Sequence, residues 1–199
     1  MEKATSGTSR MVRLAVLIAV IAAMAFTPLG YLKTGGLSIT LLQIPVVIGA
    51  ILMGPAAGTV LGLAFGLTSL FQCFGMEPFG TMLMSINPLG TVIGCTVPRV
   101  LMGYFSGLLF KALEKAMGQK LFPCAISCLA GALLNTVFFM GLLILFFYNT
   151  DYIQSIVTAL GASSPLSFVI AFVGINGAVE AVVCCVVGGA LSRVLYRFK

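Results

Sequence analysis

Two charged residues lie deep inside strongly apolar stretches of this sequence. Arg99 lies within PLGTVIGCTVPRVLMGYFSGLLF, and Glu180 lies within SFVIAFVGINGAVEAVVCCVVGGAL. An ionised side chain near the centre of a bilayer costs roughly 3 kcal/mol or more, so such residues usually face a polar cavity or a partner. We therefore predict that Arg99 and Glu180 belong either to a ligand pocket or to a structural ion pair inside the membrane.

Two asparagines fall at a similar depth. Asn135 lies near the middle of the fifth apolar segment, and Asn176 lies one helical turn from Glu180 on the same face. An ion pair alone would not need these amides, which favours a pocket formed by the last three segments. Tyr31 and Asn87, in the loops on the same side, are candidate residues for covering it.

The composition requires a membrane protein. Apolar residues make up 60% of the 199 positions and charged residues only 8%, with a mean hydropathy of +1.15. A soluble fold of this size could not bury so much apolar surface. The 23 glycines fit closely packed membrane helices.

Six apolar segments are long enough, or nearly so, to be membrane helices. They define one membrane domain over 1–199, an all-α bundle of six transmembrane helices. The second and third segments are short and are separated by Gly54 and Pro55, so we expect a tight helical hairpin. The predicted helices are 11–30, 38–54, 57–73, 91–112, 121–148 and 166–193.

The basic residues predict the orientation. Nine of the eleven fall at the two ends of the chain or in the loop between the fourth and fifth segments. Positively charged loops stay in the cytoplasm, so both termini are predicted to be cytoplasmic. The net charge of +6 is therefore assigned to membrane orientation, and no nucleic-acid partner is expected.

The sequence lacks the residues that several classes of protein function require. There is no histidine, no GxxxxGK[ST] phosphate loop and no GxSxG sequence, so we expect no enzyme and no ATP binding by this chain. The six cysteines are interpreted as small packing residues. No metal site and no cofactor is predicted.

Alanines recur every four residues on the first predicted helix, at Ala15, Ala19 and Ala23. Such a stripe of small side chains lets another helix approach closely. The spacing alone leaves open whether that helix belongs to this chain or to a partner.

The sequence contains four distinctive stretches: ITLLQIPVVIGAILMGPAAGTVLGLAFGLTSL, NPLGTVIGCTVPRVLMGYFSGLLF, GALLNTVFFMGLLILFF and NGAVEAVV. Together they resemble the substrate-binding S components of energy-coupling factor (ECF) transporters, most closely the pantothenate branch. The resemblance covers nearly the whole chain. Its most specific parts are IPVVIGAILMGP, Pro98–Arg99, Asn135–Thr136 and the NGAVEA around Glu180.

This resemblance implies six helices, with a vitamin bound near the outer face by the C-terminal helices and the outer loops. It also implies that the alanine stripe contacts a transmembrane coupling subunit, and that two ATPase subunits on separate chains drive toppling of this subunit in the membrane.

The ligand stays open between two branches of that family. A guanidinium such as Arg99 binds a carboxylate through two parallel hydrogen bonds, which favours pantothenate, and the asparagines suit its hydroxyls and amide. A hydroxymethylpyrimidine, or another water-soluble vitamin, would instead need Arg99 held by Glu180. Two further alternatives are a structural or regulatory membrane protein with a bare Arg99–Glu180 ion pair, and a stand-alone or proton-coupled carrier that uses Glu180.

Overall fold

The chain folds into a bundle of helices with one short hairpin. A computed structural model describes residues 2–27, 30–34, 37–117 and 121–196, without the side chains of 2–6, 31–39, 121 and 175. The elements in chain order are α1 Glu2–Ala25, β1 Tyr31–Thr34, β2 Leu37–Thr40, α2 Gln43–Met53, α3 Pro55–Gln72, α4 Pro78–Ile86, α5 Pro88–Met117, α6 Leu121–Phe147, α7 Asp151–Ala159, α8 Pro165–Val183, a π-helical turn Cys184–Gly188 and α9 Gly189–Tyr196.

Five stretches of helix in the described residues are long and apolar enough to cross a membrane. They are Gly7–Ala25, Pro55–Gln72, Pro88–Met117, Phe122–Phe147 and Asn176–Tyr196. The last of these includes α9, because α8, the π-helical turn and α9 follow one another without a break. The first helix differs from the predicted 11–30: it begins well before residue 11 and ends at Ala25.

The second apolar segment, predicted to be helical over 38–54, is helical only over Gln43–Met53, a stretch of 11 residues. The chain before it forms an antiparallel hairpin in which Tyr31 pairs with Thr40 and Thr34 with Leu37. Gln43 to Ile51 are all buried, so α2 is enclosed by protein on every side, as expected for a helix that is apolar all round. Gly54, at φ 93°, reverses the chain into α3.

Glycines bring α3 and α5 into backbone contact. A Cβ on Gly58 would overlap the backbone of Gly103, and one on Gly62 would overlap the carbonyl of Arg99. Close approach of two membrane helices depends on such small residues. This contact therefore fixes the position of Arg99 along the bundle relative to α3.

The two short helices α4 and α7 lie in the stretches 74–90 and 149–165, between the predicted membrane helices. Glu77 caps α4 by accepting from the backbone N–H groups of Phe79 and Gly80, and Thr150 caps α7 by accepting from Ile153. Both helices pack with α6 and α8 into an apolar cluster that contains Leu83, Met140, Leu143, Phe147, Ile153, Val157 and Phe168. The cluster closes one end of the bundle.

The described ends of the chain lie together at the other end. Arg10 donates to the carbonyl of Met53 at 3.3 Å, and the Tyr196 hydroxyl donates to Glu114 at 2.6 Å. Arg10, Arg13, Lys111 and Glu114 line a groove of about 530 Å³ there. Arg10, Arg13 and Lys111, three of the basic residues that predict a cytoplasmic face, therefore share one end of the bundle.

Candidate ligand-binding cavity

A cavity of about 210 Å³ lies at the end of the bundle that α4 and α7 cover. It is lined by the end of α3, by α4, by the start of α5, by the second half of α6 and by the stretch 172–180 of α8, with Thr40 of the hairpin at its edge. Its polar lining residues are Thr40, Ser69, Gln72, Glu77, Thr91, Arg99, Asn135, Thr136, Asn176 and Glu180. Arg99, Asn135, Asn176 and Glu180, which the sequence singled out, thus line one cavity.

Arg99 is held in this cavity by its own helix and by two aromatic rings. Its Nη1 donates to the carbonyl of Gly94 at 2.6 Å, and its guanidinium carbon lies 5.4 Å from the ring centroid of Phe65 and 4.9 Å from that of Phe139. Contacts of this kind stabilise a cation in a partly desolvated site. Its buried Nε has no hydrogen-bond partner among the described residues.

Glu180 fixes the hairpin and α2 against α8. Its Oε1 accepts from the backbone N–H of Thr40 at 2.5 Å, and its Oε2 accepts from Nε2 of Gln43 at 3.4 Å. Gln43 is the first residue of α2, so the carboxylate also lies at the positive end of that helix. Arg99 and Glu180 are both described in full, and no ion pair joins them.

Glu77 is a second carboxylate in the cavity, and sequence reasoning missed it. Its oxygens accept from the N–H groups of Phe79 at 3.3 Å and Gly80 at 2.5 Å. Burial and the charge of Glu77 raise the pKa of Tyr152, which lies on α7 outside the membrane-spanning helices. Tyr152 also packs against Phe79, with ring centroids 6.1 Å apart, which joins α7 to the cap of α4.

The two asparagines have different surroundings. Asn135 is only 8% exposed, and its Oδ1 has no partner among the described residues. Asn176 lines the same cavity from α8 and interacts with the protein. A buried oxygen without a partner is costly unless a ligand or water donates to it.

Of the other two predicted pocket residues, Asn87 lies outside the cavity. Asn87 joins α4 to α5, where its Oδ1 accepts from the N–H of Gly90 at 3.0 Å, and it is not among the residues found to line the cavity. The Tyr31 side chain lies outside the described residues.

Several lining groups were not found from the sequence. Gln72 ends α3, is buried and donates to the carbonyl of Ala25 at 2.6 Å, while Thr91 is buried in the first turn of α5. Polar residues at the ends of apolar segments resemble solvated loop residues, so the cost of an intramembrane polar group did not identify them. Cys73 and Cys95, which we interpret as packing residues, also line the cavity, with their sulfurs 3.7 Å apart.

The alanine stripe of α1 lies away from the cavity. Ala15, Ala19 and Ala23 are all exposed, and only 11% of the membrane-length stretch of α1 is buried. The face of α1 that carries the stripe is therefore not covered by the described part of this chain.

The arrangement suits binding of an anionic group. Both carboxylates already accept hydrogen bonds from protein donors, whereas the guanidinium of Arg99 makes one hydrogen bond with the described residues, although it carries five N–H groups. Arg99 is the cation among the described residues that line the cavity, so its remaining N–H groups are the charged donors there, and the apolar walls strengthen their attraction for an anion.

Comparison with known proteins agrees with this arrangement. A family model described as ECF transporter, substrate-specific component, matches residues 9–189. A pantothenate transporter PanT of Leuconostoc mesenteroides subsp. mesenteroides is 27% identical over 173 residues, which cover 84% of this chain and 81% of the relative. A pantothenic acid transporter PanT of Lactococcus lactis subsp. cremoris is 31% identical over 121 residues, 56% of this chain and 59% of the relative.

This family consists of transporter components rather than enzymes, and its members bind a substrate for uptake across the cell membrane. The apolar helices and the cavity described above are consistent with that role. The chain belongs to the family of ECF transporter substrate-specific components and is a multi-pass protein of the cell membrane.

Proposed function

We propose that this chain is the vitamin-binding subunit of an ATP-driven ECF importer and that its substrate is pantothenate. Membership of the family supports the first part, and the names of the two relatives support the second. Both proposals agree with the chemistry of the cavity.

The proposal rests on a difference in hydrogen bonding between the two carboxylates of the cavity and Arg99. Glu77 and Glu180 accept hydrogen bonds from the protein. Arg99, by contrast, makes one hydrogen bond with the described residues although it carries five N–H groups. Pantothenate carries a carboxylate, which a guanidinium binds through two parallel hydrogen bonds. Its hydroxyls and amide match Asn135, whose Oδ1 has no partner among the described residues, and Asn176.

The exposed stripe Ala15–Ala19–Ala23 on α1 is the proposed contact with a transmembrane coupling subunit. Two ATPase subunits on separate chains would supply the energy. We further propose that the chain has six membrane spans, with α2 as the shortest, and that both termini are cytoplasmic. The basic groove around Arg10, Arg13 and Lys111 supports this orientation.

A hydroxymethylpyrimidine or another ring-containing vitamin is the second candidate. Phe79, Phe139 and Phe172 line the cavity and offer ring faces for stacking. This candidate needs Arg99 to be neutralised by Glu180, and the two residues do not pair. The structural or regulatory alternative with a bare Arg99–Glu180 pair has no support for the same reason.

Mass spectrometry of the small molecules that elute from the purified, denatured protein tests the ligand directly. Pantothenate should copurify and should bind the emptied protein in calorimetric titration. A pyrimidine in the eluate, together with no heat on adding pantothenate, would identify the second candidate instead.

Arg99→Ala tests the residue on which the proposal rests. Loss of a desolvated charged contact should weaken pantothenate binding by about 2–5 kcal/mol, or roughly 30-fold to several thousand-fold. Arg193→Ala is the matched control, because Arg193 is exposed on α9 at the opposite end of the bundle. Equal affinities in two folded variants would refute the assignment of Arg99.

A further inference from the structure

Pro98 lies inside α5 and is fully buried. In a regular helix the N–H of residue 98 would donate to the carbonyl of Gly94, four residues earlier. Proline has no N–H, so this carbonyl is left without its helical partner. The loss occurs beside the cavity, because Gly94 is one of the lining residues.

The next residue supplies the missing donor. Nη1 of Arg99 donates to the Gly94 carbonyl at 2.6 Å, a short distance for a hydrogen bond from a charged group. The guanidinium is then held between Phe65 and Phe139. A partly buried carbonyl without a donor is unfavourable, so the folded helix favours the side-chain orientation that satisfies it.

We propose that Pro98 is a positioning residue for ligand recognition: by removing one backbone donor it reserves the Gly94 carbonyl for Arg99 and so orients the guanidinium in the cavity. This inference rests on the proposed role of Arg99 in binding the ligand carboxylate. Pro98 itself does not line the cavity and acts only through Arg99.

Pro98→Ala restores an N–H that donates to Gly94 and draws its carbonyl back along the helix axis. The orientation of Arg99 is then no longer fixed, and ordering it becomes part of the cost of binding. Pantothenate affinity should fall roughly three- to tenfold, as expected for immobilising one long side chain. The thermal unfolding midpoint should stay the same or rise, because alanine favours a helix interior over proline.

Panthenol, in which an alcohol replaces the carboxylate of pantothenate, separates positioning from general damage. Its affinity should be the same for Pro98→Ala and the original protein, since it lacks the group that Arg99 would bind. Pro123→Ala is the control substitution, because Pro123 is also buried but lies in the first turn of α6, away from the cavity. It should change neither affinity.

The Pro98→Ala/Arg99→Ala double variant tests whether Pro98 acts through Arg99. If Pro98 acts through Arg99, the double variant binds pantothenate no more weakly than Arg99→Ala. An Arg99→Ala variant with full affinity would overturn the proposed function and this inference together. A weakened Arg99→Ala beside an unchanged Pro98→Ala would overturn the inference alone, and so would equal losses of panthenol and pantothenate affinity in Pro98→Ala.

The unaltered protein offers a second test that does not depend on folding of the variant. With Nη1 held by Gly94, rotation of the guanidinium should be slow, and nitrogen-15 NMR should show distinct Nη1 and Nη2 signals that vanish in Arg99→Lys. A single averaged signal would overturn the inference.

Discussion

Gly62→Ala should pull α3 away from α5 at the height of Arg99. A Cβ added to Gly62 would lie 3.0 Å from Cα of Val100 and closer still to the backbone of Arg99, whereas ordinary contacts begin near 3.4 Å. The opposing atoms are backbone, so no side-chain rotation can relieve the overlap. The two helices must separate, and Arg99 must move with α5.

The magnitude follows from comparison with a glycine in open space. Gly141 is exposed on α6, and a Cβ there meets no atom within 4 Å. Both substitutions gain about 1 kcal/mol of helix propensity, so the difference between them isolates the overpacking of Gly62, which typically costs about 1–3 kcal/mol. For a chain of this size we expect the unfolding midpoint of Gly62→Ala to be about 2 to 12 °C below that of Gly141→Ala.

The cysteines provide the assay. Cys73, Cys95, Cys124, Cys128 and Cys184 are free and buried, so a thiol-reactive fluorophore reports unfolding on heating. Pantothenate titration of unlabelled, unheated samples should show weaker binding by Gly62→Ala and normal binding by Gly141→Ala. If the two variants unfold at the same temperature, α3 and α5 are not packed tightly against each other at Gly62.

Four further substitutions test other parts of the protein. Asn135→Ala and Asn176→Ala should each weaken pantothenate binding by roughly 1–2 kcal/mol in calorimetric titration and should be non-additive with Arg99→Ala; additive effects near zero would separate the amides from the ligand. Glu180→Gln places an amide N–H₂ against the donors of Thr40 or Gln43, so stability should fall by about 1–3 kcal/mol, and an unchanged unfolding midpoint would contradict the anchoring role. Ala19→Trp should abolish copurification with a coupling subunit while keeping vitamin affinity. Val20→Trp, also exposed but about 100° around the helix, is its control, and normal assembly of Ala19→Trp would mean that the stripe faces lipid.

The apolar runs of the sequence predicted the long helices well, because burial in lipid or in protein demands the same long apolar stretches. The predicted 91–112 and 121–148 correspond to Pro88–Met117 and Leu121–Phe147. The start of α2 was misplaced because residues 37–40 are apolar enough to continue a helix. The Gly35–Gly36 pair before them is a hairpin signal that the hydropathy pattern hides.

The polar residues that line the cavity could be predicted in part, but their partners could not. The cost of intramembrane polar groups identified Arg99, Asn135 and Glu180, and all three line the cavity. Sequence spacing does not give the rotation of one helix against another, so the Arg99–Glu180 pairing that we considered does not form. Arg99 bonds to Gly94 on its own helix and Glu180 to the chain around α2.

The short helix α2 also sets how the electric field acts on this protein. Its 11 residues span about 16 Å, roughly half of a ~30 Å hydrocarbon layer. Thr40, just before α2, borders the ligand cavity, and Gly54, just after it, borders the basic groove at the other end. A thin apolar septum between two polar spaces concentrates the transmembrane voltage across itself. In the orientation that we propose, an anion bound at Arg99 lies on the outer side of this septum, and moving it inward opposes about 2.3 kcal/mol per 100 mV when the inside is negative.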